Sequence, residues 1–236
     1  MLKIKNYSKN YGSKEAVKNL SLSIQAGDIY GFIGHNGAGK TTTIKAITGI
    51  LPIEKGDIFL EGISIKDRPV ECKKKMAYIP DTPELYDSMS GLKFIKFICD
   101  IYEVPAKKRE RNIKKYAESF GMLNELSEPI ASYSHGMKQK VAVIAALAHE
   151  PKLMVLDEPF VGLDPKASFT LKEYMREMCK EGCAIFFSTH VLEVAEKLCN
   201  KIAIIKNGEL IRSGPTGEVR GDSTLESLFL ELTDED

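Results

Sequence analysis

Chemistry first shows in this chain at Gly34-His35-Asn36-Gly37-Ala38-Gly39-Lys40-Thr41-Thr42. From Gly34 to Thr41 the spacing is G-x-x-x-x-G-K-[ST], that of a loop that cradles phosphate. Gly37 and Gly39 allow the backbone to wrap closely round phosphate oxygens, because no Cβ stands in the way. Lys40 is then placed to reach the β and γ phosphates of a nucleotide, and the Thr41 hydroxyl to ligate Mg²⁺. Such a site needs an acidic residue at the tip of a neighbouring buried strand, and "LMVLDEP" supplies it. Asp157 would hold the metal. Glu158, directly after it, can orient and deprotonate a water attacking the γ-phosphate.

A second anion-binding signal lies far downstream, in "YSHGMKQKV". Ser134 and Gly136 stand just before the apolar run "VAVIAALAHE", so they mark a helix N-terminus. Free backbone N–H groups and the helix dipole favour an anion there. One small chain thus carries two phosphate-type sites, and the residues alone do not say why.

The elements that must position these residues alternate along the chain. "LKIKNYSKNYG" and "AVKNLSLSIQAGD" read as half-buried strands joined by a turn, and "IYGFIG" as a short apolar strand leading into the phosphate loop. The helix "KTTTIKAITGIL" follows, ended by Gly49 and Pro52, and "GDIFLEGISI" is again strand-like. From about Pro83 the pattern turns helical. Ser90 is an N-cap for "SGLKFIKFICDIYEV", with Lys93, Lys96, Asp100 and Glu103 along one polar stripe, and "KKRERNIKKYAESFGM" continues to Gly121. "KLMVLDEP", "CAIFFSTH" and "KIAIIKNGEL" then read as buried strands with helices between them, which implies a parallel sheet covered on both faces. The tail "TLESLFLEL" sets Leu225, Leu228, Phe229 and Leu232 on one helical face before an acidic end.

A phosphate loop alone serves kinases, GTPases and motors, and no N-K-x-D guanine signature is present. The ordered set "YSHGMKQ", "VLDEP", "GLDP" and "STH", downstream of the phosphate loop, resembles the ATP-binding subunit of ABC transporters over almost the whole length. The resemblance implies an α/β fold. Its parts would be a P-loop NTPase core with a mostly parallel sheet, an N-terminal antiparallel β subdomain and an inserted helical subdomain. The chain is then a single ATPase domain, 1–236, with 1–82 and 150–215 as the β subdomain and core. Residues 83–149 form the helical subdomain, and 216–236 a C-terminal helical tail.

The resemblance also explains the second anion site. In this family two subunits pair head to tail, and each ATP lies between the phosphate loop of one and the signature loop of the other. Ser134 and Gly136 would then contact the partner copy's ATP. His190 in "FFSTH" matches a histidine that contacts the γ-phosphate and steadies the attacking water. Asp164 in "GLDP" matches the loop that couples the two sites, and Tyr11 the aromatic that stacks on adenine. Asp81 stands where most relatives carry a glutamine that touches the metal. A carboxylate also ligates Mg²⁺, but when ionised it cannot donate a hydrogen bond. Within the family, "YIPDTPELY", "GMKQKV", "DEPFVGLDP" and "FLELT" look most like the Ecs-type exporter subunits of Gram-positive bacteria. The expected partners are transmembrane permease subunits and a second ATPase copy, at the cytoplasmic face of the cell membrane. Leu85, Tyr86, Met89 and Phe94 would supply the gripping surface.

The totals fit this reading. The 236 residues suffice for a sizeable core, and 43% hydrophobic with 28% charged is an ordinary globular composition. The 33 basic residues balance 33 acidic ones, so bulk charge does not argue for nucleic acid. Cys72, Cys99, Cys179, Cys183 and Cys199 show no C-x-x-C pair and no zinc spacing, and read as buried free thiols. The rival reading is a non-transport ABC-type ATPase acting on nucleic acid or ribosomes. One compact cassette with no basic tail speaks against it.

Overall fold

The computed structural model describes residues 1–233. Its elements in chain order are β1 (Leu2–Tyr11), β2 (Lys14–Ile24), β3 (Ile29–Ile33), α1 (Lys40–Ile47), β4 (Lys55–Leu60), β5 (Ile63–Ser64), α2 (Pro69–Lys73) and β6 (Met76–Ile79). Three helices follow, α3 (Gly91–Ile101), α4 (Ala106–Ser119) and α5 (His135–Ala148). Then come β7 (Leu153–Asp157), α6 (Pro165–Lys180), β8 (Ala184–Thr189), α7 (Leu192–Leu198), β9 (Lys201–Lys206), β10 (Glu209–Pro215), α8 (Thr216–Arg220) and α9 (Leu225–Thr233).

Two sheets result. One is antiparallel in the order β2-β1-β4-β5, and the other runs β10-β9-β3-β8-β7-β6. In the second sheet β9, β3, β8, β7 and β6 are parallel, and β10 closes one edge antiparallel. The central strands β3, β7 and β8 are buried at every residue, which is why they read as unbroken apolar runs. Their pleat still divides them. Ile29, Ile33, Met154, Leu156, Ile185 and Phe187 face a core shared with α5, α6, α7 and α9. Tyr30, Phe32, Leu153, Val155, Ala184 and Phe186 face the layer made by α1 and the antiparallel sheet. Each such buried Ile, Leu, Val, Met or Phe side chain contributes about 1.5–3 kcal/mol.

The phosphate loop follows β3, and "DE" ends β7, with β8 between them in the sheet. Three parallel strands therefore deliver the residues of interest to one edge, the carboxyl ends of the strands, where open α/β sheets bind ligands.

Two expectations need correction. "KIAIIKNGEL" is not one buried strand: Asn207 (φ 50°) and Gly208 (φ 83°) turn the chain between β9 and β10, and β10 is mostly exposed. Glu103 does not extend the polar stripe of α3. The helix ends at Ile101, Glu103 takes a left-handed conformation (φ 57°), and Val104 N–H closes on Cys99 O at 2.9 Å. Glu103 pairs with Lys74 instead, at 2.7 Å. Other expectations hold. Ser90 caps α3 by accepting from Lys93 N–H, all five cysteines are free and buried, and α9 docks through Leu225, Leu228 and Phe229.

Candidate nucleotide site

The phosphate loop is built by glycines where a side chain cannot fit. A Cβ on Gly39 (φ 107°) would come within 2.5 Å of Ala16 O, and one on Gly34 within 2.5 Å of Ile205 O. No side chain caps α1, whose N-cap is Gly39, so its first N–H groups face the loop's concavity. Lys40 is buried and folds back over the loop, donating to Gly34 O at 2.6 Å and His35 O at 3.1 Å. Burial pulls its ammonium below the usual lysine range, and the Glu158 and Asp157 carboxylates oppose that pull.

Facing Lys40, Asp157 ends β7 with its side chain gripped from both sides. Thr41 Oγ1 donates to Oδ2 at 2.8 Å, and Ser188 Oγ donates to Oδ1. Ser188 also receives Glu158 N–H, at its hydroxyl (3.2 Å) and its carbonyl (3.3 Å). Glu158 sits at φ 47°, a conformation costing an L-residue of the order of 1–2 kcal/mol, and the Ser188 bonds help hold it there. Its carboxylate is mostly buried, and Oε1 lies 2.9 Å from His190 Nδ1 at the end of β8.

Lys40, Thr41, Asp157 and Glu158 line a cleft of about 320 Å³, while Ser188 and His190 support it without lining it. Asn36, Gly37, Gly39, Lys40, Thr41 and Thr42 come from the phosphate loop and the start of α1. Asp81, Asp157 and Glu158 form an acidic wall opposite, and Tyr11, half exposed, forms one end. The expected loop residues Gly34, His35 and Ala38 do not line the cleft, though the Gly34 and His35 carbonyls hold Lys40. The His35 ring turns away and packs on Phe229 of α9, centroids 4.7 Å apart.

The structure places the remaining expected residues elsewhere. Ser134 caps α5, accepting from Met137 N–H at 3.3 Å, and neither it nor Gly136 lines the cleft. Asp164 caps α6 through Ala167 N–H (2.9 Å) and pairs with Lys140 at 2.6 Å. The Lys140 ammonium and that backbone N–H hold the Asp164 carboxyl below the usual carboxylate range. Within one chain these three residues are separate from the cleft.

Sequence reasoning missed several participants. Lys14 and Ala16 line the cleft beside Tyr11. The signal was available for Lys14, because a tight turn at Gly12 pairs it directly with Tyr11 across the hairpin. Ser188 stood unread in "FFSTH", although its strand had to lie beside β7. Nothing in the local sequence announces the His35–Phe229 contact.

The family model for ABC transporters matches residues 17–161. The chain is 36% identical to the ABC-type transporter ATP-binding protein EcsA of Bacillus subtilis, over 100% of this chain and 98% of that one. It is 34% identical to the SkfA peptide export ATP-binding protein SkfE of the same organism, over 90% of this chain and 88% of that one. A solved ATP-binding subunit of an ABC transporter superposes with a TM-score of 0.95 at 34% identity, covering 99% of both chains. The ATP-binding cassette MJ0796, in a dimeric post-hydrolysis state bound to ADP and phosphate, shares the fold with a TM-score of 0.82 at 23% identity over 92% of this chain and 99% of that one. With a full-length relative at this identity, and with the cleft formed from the residues that the motifs single out, the chain belongs to the ABC transporter family as an ATP-binding subunit, a transport-coupled ATPase.

Proposed function

We propose that the chain powers an exporter, working as a head-to-tail dimer bound to transmembrane subunits on the cytoplasmic side of the membrane. The observation that carries the catalytic part is the Glu158–His190 contact beside the phosphate loop. Glu158 accepts a proton from a water as its oxygen bonds to the γ-phosphorus. The bond from that phosphorus to the bridging oxygen breaks, and ADP leaves with that electron pair. His190 holds the Glu158 carboxylate toward the water and reaches the γ-phosphate, while Lys40 donates to β and γ oxygens.

The donor set suits Mg²⁺. Thr41 Oγ1 and Asp157 Oδ2 are already 2.8 Å apart, and Asp81 lies on the same cleft. Among the described residues no three His, Cys, Asp or Glu side chains form a metal cluster, so phosphate and water oxygens would complete the shell. When bound, Mg²⁺ neutralises charge on the β and γ oxygens.

The dimer is supported by what one chain leaves over. Ser134 and Gly136 sit at a helix N-terminus outside the cleft, and the composite arrangement gives that terminus a partner's γ-phosphate. Tyr11 would stack on adenine. The same reading divides the chain into 1–82 with 150–215, 83–149 and a tail 216–236, whose last three residues lie outside the described ones. Export is supported by the similarity to SkfE, which serves peptide export.

A gripping surface is supported by a groove of about 170 Å³ between the Pro80–Leu85 segment, α3 and α5. Tyr86 stands beside it 55% exposed, with Phe97 and Ile101 exposed on α3. Leu85 and Met89 are half buried, and Phe94 belongs to the core. Among the described residues no helix is long and apolar enough to cross a membrane, so the hold on the membrane would come through this groove. Extraction of the tagged chain from native membranes in mild detergent, with mass spectrometry of what accompanies it, tests the reading. A multi-span protein, lost on Tyr86→Asp while ATPase activity persists, is expected. Ribosomal or DNA-bound companions would favour the non-transport alternative.

A further inference from the structure

The first two turns of α5 grip the segment that carries Glu158. Gln139 is fully buried, and its Nε2 donates to Pro159 O at 3.3 Å, the carbonyl of the residue that follows Glu158. One residue on, Lys140 holds Asp164 at 2.6 Å. At the start of α5 the two backbones nearly touch, since a Cβ on Gly136 would come within 2.6 Å of Gly162 O. The His135 ring packs against Gly162, where a Cβ would come within 2.4 Å of it. The segment 158–164 is also closed on itself, with Val161 N–H on Glu158 O (3.1 Å) and Leu163 N–H on Phe160 O (3.3 Å).

Gln139 is the contact nearest the chemistry, and it is held at a cost. Its Oε1 is buried and, among the described residues, meets no donor. A buried carbonyl oxygen without a donor is destabilising, and an apolar side chain of the same size would avoid that cost. The half of the amide that is satisfied is the half bonded to Pro159. Because Glu158 lies at positive φ, the direction of its carboxylate depends on how the backbone on either side is held. Ser188 holds the peptide before it, Val161 N–H holds Glu158 O in the peptide after it, and Gln139 holds the Pro159 carbonyl one peptide further.

We propose that Gln139 is a positioning residue for the general base. Through Pro159 it orients Glu158, and it joins the signature helix and the Glu158–Asp164 segment into one body. On the proposed dimer, on which this second part rests, engagement of the partner's ATP by Ser134 and Gly136 at the start of α5 is transmitted directly to this chain's own Glu158.

The test is steady-state ATP hydrolysis by Gln139→Leu and Gln139→Met. Leucine removes the donor and nearly keeps the volume. Methionine fills the same space flexibly if leucine fails to fold. The inference predicts a kcat at least tenfold lower with KM for ATP within twofold, because misorientation at the reacting centre costs turnover rather than binding. An unchanged kcat, or a rise in KM with kcat intact, overturns it. Adding Glu158→Gln to either variant should leave Mg-ATP-dependent dimerisation as in Glu158→Gln alone. If Glu158→Gln alone stays monomeric, the composite-site reading and the transmission to the partner fall together, while the split between kcat and KM still judges the positioning role.

Discussion

His190 Nδ1 lies 2.9 Å from Glu158 Oε1, so the residues that directly follow two neighbouring parallel strands, β7 and β8, meet. Glu158 is mostly buried and His190 is 57% exposed, so the histidine forms the solvent side of the pair. Replacement of His190 by Ala frees the carboxylate and, on the proposed mechanism, would remove a γ-phosphate contact. Turnover should fall about 100-fold, within the usual range for acid–base positioning, and ATP affinity by much less. Single-turnover hydrolysis alongside equilibrium ATP binding separates the two effects.

Ser188 serves both acidic residues, donating to Asp157 and receiving the Glu158 amide. Its side chain is fully buried, so Ser188→Ala leaves polar groups without partners. Stability should drop by about 1–3 kcal/mol in urea unfolding. Turnover should drop roughly tenfold, because the Glu158 backbone loses one of its holds.

Tyr11 is half exposed at the end of the cleft, with the Lys9 ammonium 5.7 Å from its ring centroid. If it stacks on adenine, Tyr11→Ala should weaken ATP binding about tenfold, and Tyr11→Phe should leave it near the parent value. Fluorescent-nucleotide titration reads the difference directly.

His149 stacks on Tyr102, with ring centroids 3.7 Å apart and planes 8° from parallel. Burial lowers its pKa to about 4 from 6.5. Below pH 6.5 the unfolded chain takes up the proton first, so this group's contribution is complete above 6.5 and is lost as pH falls toward 4. The loss amounts to about 3 kcal/mol over that window. His149→Phe keeps the stack and should flatten the pH dependence of urea unfolding between pH 7 and 4.5.

Local spacing made the phosphate loop, Asp157 and Glu158 legible, because a strand, a tight turn and a helix lie consecutively in the chain. The strand assignments were legible for the same reason, since burial on both faces leaves an apolar run. Glu103 was misread because a helix-compatible sequence does not reveal a left-handed C-terminal turn. Ser188, Gln139 and the His35–Phe229 contact depend on which strand or helix lies beside which. That order is set by tertiary packing, and no spacing within the chain encodes it. The motif containing Gln139 was recognised for its anion-binding end, while the grip on Pro159 one turn later needed coordinates.

The central claim is that one chain's cleft and another's signature helix together bind ATP for hydrolysis, with Glu158 as the general base. Mg-ATP added to Glu158→Gln during size-exclusion chromatography with light scattering tests it most directly. The account predicts a variant that binds ATP, does not hydrolyse it and shifts from monomer to dimer only when Mg-ATP is present. A variant that binds Mg-ATP yet stays monomeric, or that still turns over at the parent rate, would contradict it.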